Sequence, residues 1–197
     1  MKIDLAGKIK HTHLPRSKPL LPMFEAVVNA FQAIEDAGET VSSPSIEIVV
    51  ERDPVLPGVD MDGDVNGFTV IDNGIGFNEG NLDSFFTSDT QYKLSRGGQG
   101  IGRFIWLKAF KYAEIEGHYR ENGKLVKRAF KFTTNGEQPT VPAADSQETG
   151  PKTTVRLVAM QSPYKERCPF LQHVLPDGFM KVRHCGFLHA SCAIPTE

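Results

Sequence analysis

Apolar positions recur along residues 24–38, "FEAVVNAFQAIEDAG", at Phe24, Val27, Val28, Phe31 and Ile34. This i, i+3, i+4, i+7 spacing predicts a helix with a core-facing stripe. Gly38 is placed to stop it. Alternation then takes over: Ile46, Ile48 and Val50 predict a strand over residues 45–52, and "FTVID" predicts another over 68–72. "IGRFIWLKAF" (101–110) reads as a buried helix. "KYAEIEGHYR" and "LVKRAFKFTT" flank "ENGK" (121–124), the pattern of a hairpin with an Asn-Gly turn. "KTTVRLVAM" (152–160) predicts a further strand, and residues 2–14 alternate weakly, as a strand or strap would. Strands joined by hairpins and interleaved with helices point to a two-layer α/β sandwich, with a mixed, mainly antiparallel sheet and helices on one face.

A second pattern lies in the polar positions. Glu25, Asn29 and Gln32 fall at i, i+4, i+7 of the first helix and form a polar stripe beside the apolar one. Taken alone this is as readily a wet helix face as a site. "TVIDNGIGF" (69–77) looks like a hairpin signal, yet no second strand follows Asn73 and Gly74; a long polar, glycine-rich stretch does. An aspartate is a poor strand residue, and the Asp72 carboxylate is suited to accept a hydrogen bond from an exocyclic amine at the base of a pocket. Gly74 and Gly76 would leave room for a planar ring and permit unusual backbone angles. Finally, "GGQGIGRF" (97–104) places Gly97, Gly98, Gly100 and Gly102 before an apolar helix, where backbone N–H groups make a phosphate cradle. It is not a P-loop, because no Lys-Ser/Thr follows the last glycine.

Composition narrows the field. The 197 residues carry a net charge of −2, with 40% hydrophobic and 23% charged residues, as expected of a globular chain. No basic stripe with interleaved aromatics points to nucleic acid, no apolar run reaches the length of a membrane span, and "MKIDLAGKIK" contains no signal-peptide h-region. Three cysteines, Cys168, Cys185 and Cys192, all fall in the last 30 residues, which argues against a disulfide framework and for a cytoplasmic protein. Asp60, Asp62 and Asp64 begin like a calcium loop, but Val65 and Ile71 stand where that loop needs Gly and Glu. His184, Cys185, His189 and Cys192 match no standard zinc spacing.

In order and spacing the three motifs resemble those of the GHKL superfamily of DNA gyrase B, heat-shock chaperones, histidine kinases and MutL, the Bergerat ATP-binding fold. "EAVVNAFQAI" is similar to its N-box, "DNGIGF" to its adenine motif, "GGQGIGRF" to its second glycine motif, and "TTV" (153–155) to its threonine-bearing strand. The resemblance covers about residues 1–160, and the N-terminal run looks closest to bacterial heat-shock-chaperone-like ATPases, some associated with phage defence. It implies ATP or ADP and Mg²⁺ as ligands. Glu25 would orient or deprotonate the attacking water and Asn29 would ligate Mg²⁺. Asp72 would read adenine, with Gly74, Gly76 and Phe77 beside it and Thr153 supporting the water network. Gly98, Gln99, Gly100, Ile101, Gly102 and Arg103 would surround the phosphates, and residues 78–99, with Lys93 and Arg96, would form the ATP lid. Gln32 departs from the aspartate usual in the chaperone and MutL branches.

The resemblance further implies an ATPase that is slow for want of a Lys or Arg from a following domain, and dimerisation on ATP binding through the N-terminal segment. A binding fragment without catalysis and a histidine-kinase-type domain stay open as alternatives, the latter lacking a helix with an exposed acceptor His before residue 25. The chain divides at 1–162 and 163–197. The second part shows no clear tie to the sheet, and "FLQHVLPDGFMKVRHCGFLHASCAIP" resembles a segment of rolling-circle insertion-sequence transposases, as an out-of-context extension would.

Overall fold

The computed structural model describes residues 5–56, 63–86, 102–135 and 142–168, together with the backbone of 179–183. Seven strands form one sheet: β1 (Ser45–Arg52), β2 (Val65–Asp72), β3 (Phe110–Glu121), β4 (Lys124–Phe132), β5 (Ala144–Asp145), β6 (Lys152–Met160) and β7 (Phe179–Arg183). Their order is β5-β4-β3-β6-β2-β1-β7, and each neighbouring pair is antiparallel. The α-helices among the described residues are α1 (Leu5–His11), α2 (Leu21–Ala37), α3 (Glu79–Phe86) and α4 (Gly102–Ala109). The two-layer α/β architecture is the one expected. The β3–β4 hairpin turns at Asn122 and Gly123, both at positive φ (50° and 79°), which is what a tight Asn-Gly turn demands.

The core lies between the helices and one sheet face. Phe68, Val70, Phe110, Ala113, Ile115, Val155 and Leu157 project from the central strands and are buried. α4 is buried along almost its whole length, through Phe104, Ile105, Trp106 and Leu107. The opposite face is polar: Arg156 on β6 pairs with Glu51 on β1 at 2.7 Å and with Glu114 on β3 at 3.4 Å, while Thr69 on β2 donates to Glu51.

Three expectations are corrected, and the start of the expected lid takes a defined form. The N-terminal segment is helical at residues 5–11, not a strand. Leu5 and Ile9 share one face, Ile9 is buried, and Lys108 Nζ donates to the carbonyls of Ile9 (3.3 Å) and Lys10 (3.1 Å) at the helix C-terminus. That cap comes from a residue far along the chain, where a local pattern cannot register it.

α2 faces the core with small residues. Met23, Ala26, Ala30 and Ala37 are buried, whereas Phe24 (52% exposed), Val28 (49%) and Phe31 (39%) point outward. Of the predicted stripe only Val27 and Ile34 pack against the core. The alanines permit the helix to lie close to β2 and α4, and size rather than hydrophobicity selects the inner face.

Residues 79–86, expected within a lid, form α3. Asn78 caps its start, accepting from Asn81 N–H at 2.9 Å, and Arg128 holds Glu79 at 2.6 Å. Phe85 is buried among Phe132, Phe86, Phe130, Phe77 and Trp106, with ring centroids 5.0–6.1 Å away. The remainder of the expected lid, including Lys93 and Arg96, lies outside the described residues.

The segment after residue 162 is tied to the fold. Tyr164 is buried and its hydroxyl donates to the Leu14 carbonyl at 3.1 Å. Lys165 pairs with Asp53 at 2.5 Å, and the backbone of residues 179–183 pairs with Ser45–Val49 as an edge strand. These are long-range pairings, invisible to periodicity. The tail's histidines, Cys185 and Cys192 lie outside the described residues, as do Asp60 and Asp62.

Candidate nucleotide-binding site

Four elements converge where the polar stripe of α2 faces the sheet. By helical geometry, 100° per residue, Glu25, Asn29 and Gln32 run between the buried alanine face and the exposed Phe24–Val28–Phe31 face; all three are half-buried. α2 packs against β2, α4 and β6, so the stripe looks over the end of β2, the start of β6 and the start of α4.

Glu25 reaches α4. A β-carbon added at Gly102, the first residue of that helix, would stand 2.5 Å from Glu25 Oε2. The carboxylate therefore sits where the free N–H groups and the positive end of α4 favour negative charge.

Asp72 is the last residue of β2 and is buried, 5% exposed. Its Oδ1 accepts from the Gly74 N–H at 2.9 Å. Burial pushes the carboxyl up to about 7, against the lowering effect of that N–H. Thr153, also buried, is its cross-strand partner at the start of β6.

The Asn-Gly pair after Asp72 makes no hairpin because each of its groups is used otherwise. The Asn73 side chain accepts from Ser45 N–H and donates to the Ser43 carbonyl, both at 2.8 Å. Ile75 N–H donates to the Ala33 carbonyl of α2 at 2.9 Å. The glycines serve the backbone rather than open space: a β-carbon at Gly74 would lie 2.5 Å from Ala33 C, and one at Gly76 (φ +82°) would overlap the His118 carbonyl. The expected unusual backbone angle is present at Gly76; the expected room for a planar ring is taken by neighbouring main chain at both positions.

The other expected site residues divide. Phe77 turns into the aromatic cluster, 5.5 Å from Phe130 and 5.7 Å from Phe85. Arg103 is buried, its guanidinium 4.5 Å from the Phe104 ring centroid. Neither ring nor guanidinium is brought to the stripe of α2 by those contacts. Lys93, Gly98, Gln99, Gly100 and Ile101 lie outside the described residues.

Gly117, Ala33 and His118 escaped the sequence reading. A β-carbon at Gly117 would overlap Phe77, so this mid-strand glycine lets the loop after β2 cross β3. A glycine interrupting a strand pattern is a sign of such close approach. Among the described residues no group of three or more His, Cys, Asp or Glu is placed to hold a metal ion. Asn29, half-buried on the stripe, carries a side-chain carbonyl oxygen, the hard donor type that Mg²⁺ accepts.

Against known proteins, the family described as histidine kinase-, DNA gyrase B-, and HSP90-like ATPase matches residues 21–158, from the first residue of α2 into β6. No curated protein matches the chain.

Proposed function

The chain belongs to the histidine kinase-, DNA gyrase B-, and HSP90-like ATPase family of ATP-binding domains, and from that premise we propose that it binds ATP with Mg²⁺ between α2 and the β2 end and hydrolyses it slowly to ADP and phosphate. The observation that carries this reading is the Glu25 carboxylate at the first residue of α4, the end of the helix whose N–H groups suit phosphate.

Each residue has a task in that reading. Asp72, desolvated and with Gly74 N–H on one oxygen, accepts from the adenine amino group; in a buried setting a mismatched base leaves that carboxylate unsatisfied, which gives selectivity. Thr153, beside it in the sheet, holds the water that completes adenine recognition. Asn29 supplies its side-chain oxygen to Mg²⁺, which when bound neutralises charge on the bridged phosphates. Glu25, one helical turn earlier on the same stripe, orients the attacking water and accepts its proton. The backbone of the glycine motif, Gly98 and Gly100 with Gly102, receives the phosphate oxygens.

A Lys or Arg reaching the γ-phosphoryl group from outside the matched residues 21–158 would speed this turnover by orders of magnitude, as such a group does in other phosphoryl-transfer sites. The larger role is that of the nucleotide switch of a chaperone-like or phage-defence ATPase, dimerising on ATP binding; its support is the similarity of the N-terminal run to such proteins.

Phosphate release by the purified chain, set beside the Glu25→Ala variant, tests the catalytic part. The expected result is slow release that falls at least tenfold in the variant, while calorimetry shows binding of a non-hydrolysable ATP analogue retained. Equal rates in the two proteins overturn hydrolysis by Glu25; loss of analogue binding in the parent overturns the site.

A further inference from the structure

At the other end of α4 lies a second concave site. A cavity of about 460 Å³ opens where the C-terminus of α1 and the segment after it meet Lys108 and the turn at 162–164. Its walls include Lys10, His11, His13, Arg16, Lys108 and Tyr164. α4 is eight residues long, about 12 Å at 1.5 Å per residue. Gly102, at its N-terminus, touches Glu25, and Lys108, near its C-terminus, faces this cavity, so the two sites are separate.

The charge here is local. The whole chain is at −2, yet from Leu5 to Phe24 it has no carboxylate and carries Lys8, Lys10, His11, His13, Arg16 and Lys18. Part of this is explained by α1 itself, since Lys8, Lys10 and His11 in its last turn complement the negative end of the helix. That account does not reach His13 and Arg16, which lie beyond the helix, are exposed, and line the same cavity. Lys108 is committed to the Ile9 and Lys10 carbonyls, and so fixes the wall. At the rim, Ser162 donates to Glu166, a carboxylate already engaged. Lys165, next to the lining residue Tyr164, is paired with Asp53.

We propose that this cavity binds a small molecule carrying two or more phosphate groups, with Lys10 and His11 meeting one and Arg16 and His13 another. The volume falls in the range of small-molecule sites, about 300–1,000 Å³. Lys10, His11, His13 and Arg16 lie within residues 10–16, and with Lys108 of α4 opposite they line a concavity, not the extended stripe that a nucleic-acid backbone follows. Arg16 offers the planar fork that grips phosphate through two N–H groups.

Calorimetry on the full chain tests this, with fructose 1,6-bisphosphate and inorganic tripolyphosphate as probes, in low salt and with the nucleotide cleft saturated by a non-hydrolysable ATP analogue and Mg²⁺. At least one probe is expected to bind saturably at a single site. Lys10→Glu with Arg16→Glu is expected to weaken it at least tenfold while melting midpoint and analogue affinity match the parent. Should the double variant not fold, His13→Ala and Arg16→Gln, both at exposed side chains, are each expected to weaken it about threefold. Binding of neither probe, binding that survives these substitutions, or a twelve-nucleotide single strand that binds the parent more tightly than both probes and is lost in the variants overturns the proposal.

Discussion

The Glu25 carboxylate and the α-carbon of Gly102 are in contact: a β-carbon at position 102 would lie 2.5 Å from Glu25 Oε2. The nearest atom is the far end of a flexible side chain, so Gly102→Ala costs the fold little and displaces the carboxylate instead. Alanine also gains over glycine within a helix by up to about 1 kcal/mol. The expected outcome is a melting midpoint equal to or above the parent's together with at least a tenfold loss of phosphate release. A variant that melts lower and keeps its rate contradicts the placement of Glu25.

Asp72 links pH to stability and, at the proposed site, to nucleotide binding. Its folded-state value of about 7 lies above the ordinary 3.8, so between those limits the native state holds more protons than the unfolded chain. The stabilising contribution of this group is therefore full below about 4 and is lost as pH rises through 7. Asp72→Asn keeps an acceptor for the Gly74 N–H and removes the buried charge. At pH 8 it is expected to stabilise the ligand-free protein by as much as about 4 kcal/mol, roughly three pH units at 1.4 kcal/mol each, and at pH 4 by nothing. Urea titrations at the two pH values measure the difference.

The same substitution is expected to weaken binding of an ATP analogue by about 1.5–3 kcal/mol, the worth of a hydrogen bond to a charged group. In the parent, affinity should fall as pH drops below 7 and Asp72 takes up its proton. Affinity that is flat from pH 8 to 6 removes Asp72 from adenine recognition.

Gly76 separates a structural glycine from a ligand-facing one. With φ at +82° and the His118 carbonyl in the place of a β-carbon, Gly76→Ala is expected to destabilise the ligand-free protein by about 2–4 kcal/mol. Gly123, also at positive φ but with nothing within 4 Å, should lose only about 1 kcal/mol on the same change. Thermal melts of the two variants without nucleotide make the comparison.

Phe85 tests whether α3 belongs to the core. Its ring meets five other aromatic rings, and Phe85→Ala is expected to cost about 3–5 kcal/mol. A residue on a swinging lid would tolerate the change, and an unaltered urea midpoint would return residues 79–86 to that role.

The strands at 45–52 and 152–160 and the Asn122–Gly123 turn were legible because alternation and turn chemistry are local properties. Family membership was legible for a similar reason: the glycines and the polar stripe sit at fixed spacings. What escaped depends on distant partners. α1 is capped by Lys108, β7 lies on β1 across 130 residues or more, and α2 chose its inner face by the size of Ala26 and Ala30. Phe24, Val28 and Phe31 are the more hydrophobic residues, yet the close approach of α2 to the sheet leaves no volume for them. At the site, the positions of Glu25, Asp72 and Thr153 follow from the motifs, whereas the reason for Gly74 and Gly76 is the main chain of α2 and β3.

The row formed by Glu51, Thr69, Arg156 and Glu114 crosses four adjacent strands on the face that none of the described helices covers. Strand residues alternate between faces, so this side of the sheet and the nucleotide side share a backbone but no side chains. Substitutions on the wet side are therefore felt through its exposed ion pairs, while those on the helix side reach the core and the proposed site. A reporter dye or an affinity handle attached along that row would watch the nucleotide cleft without entering it.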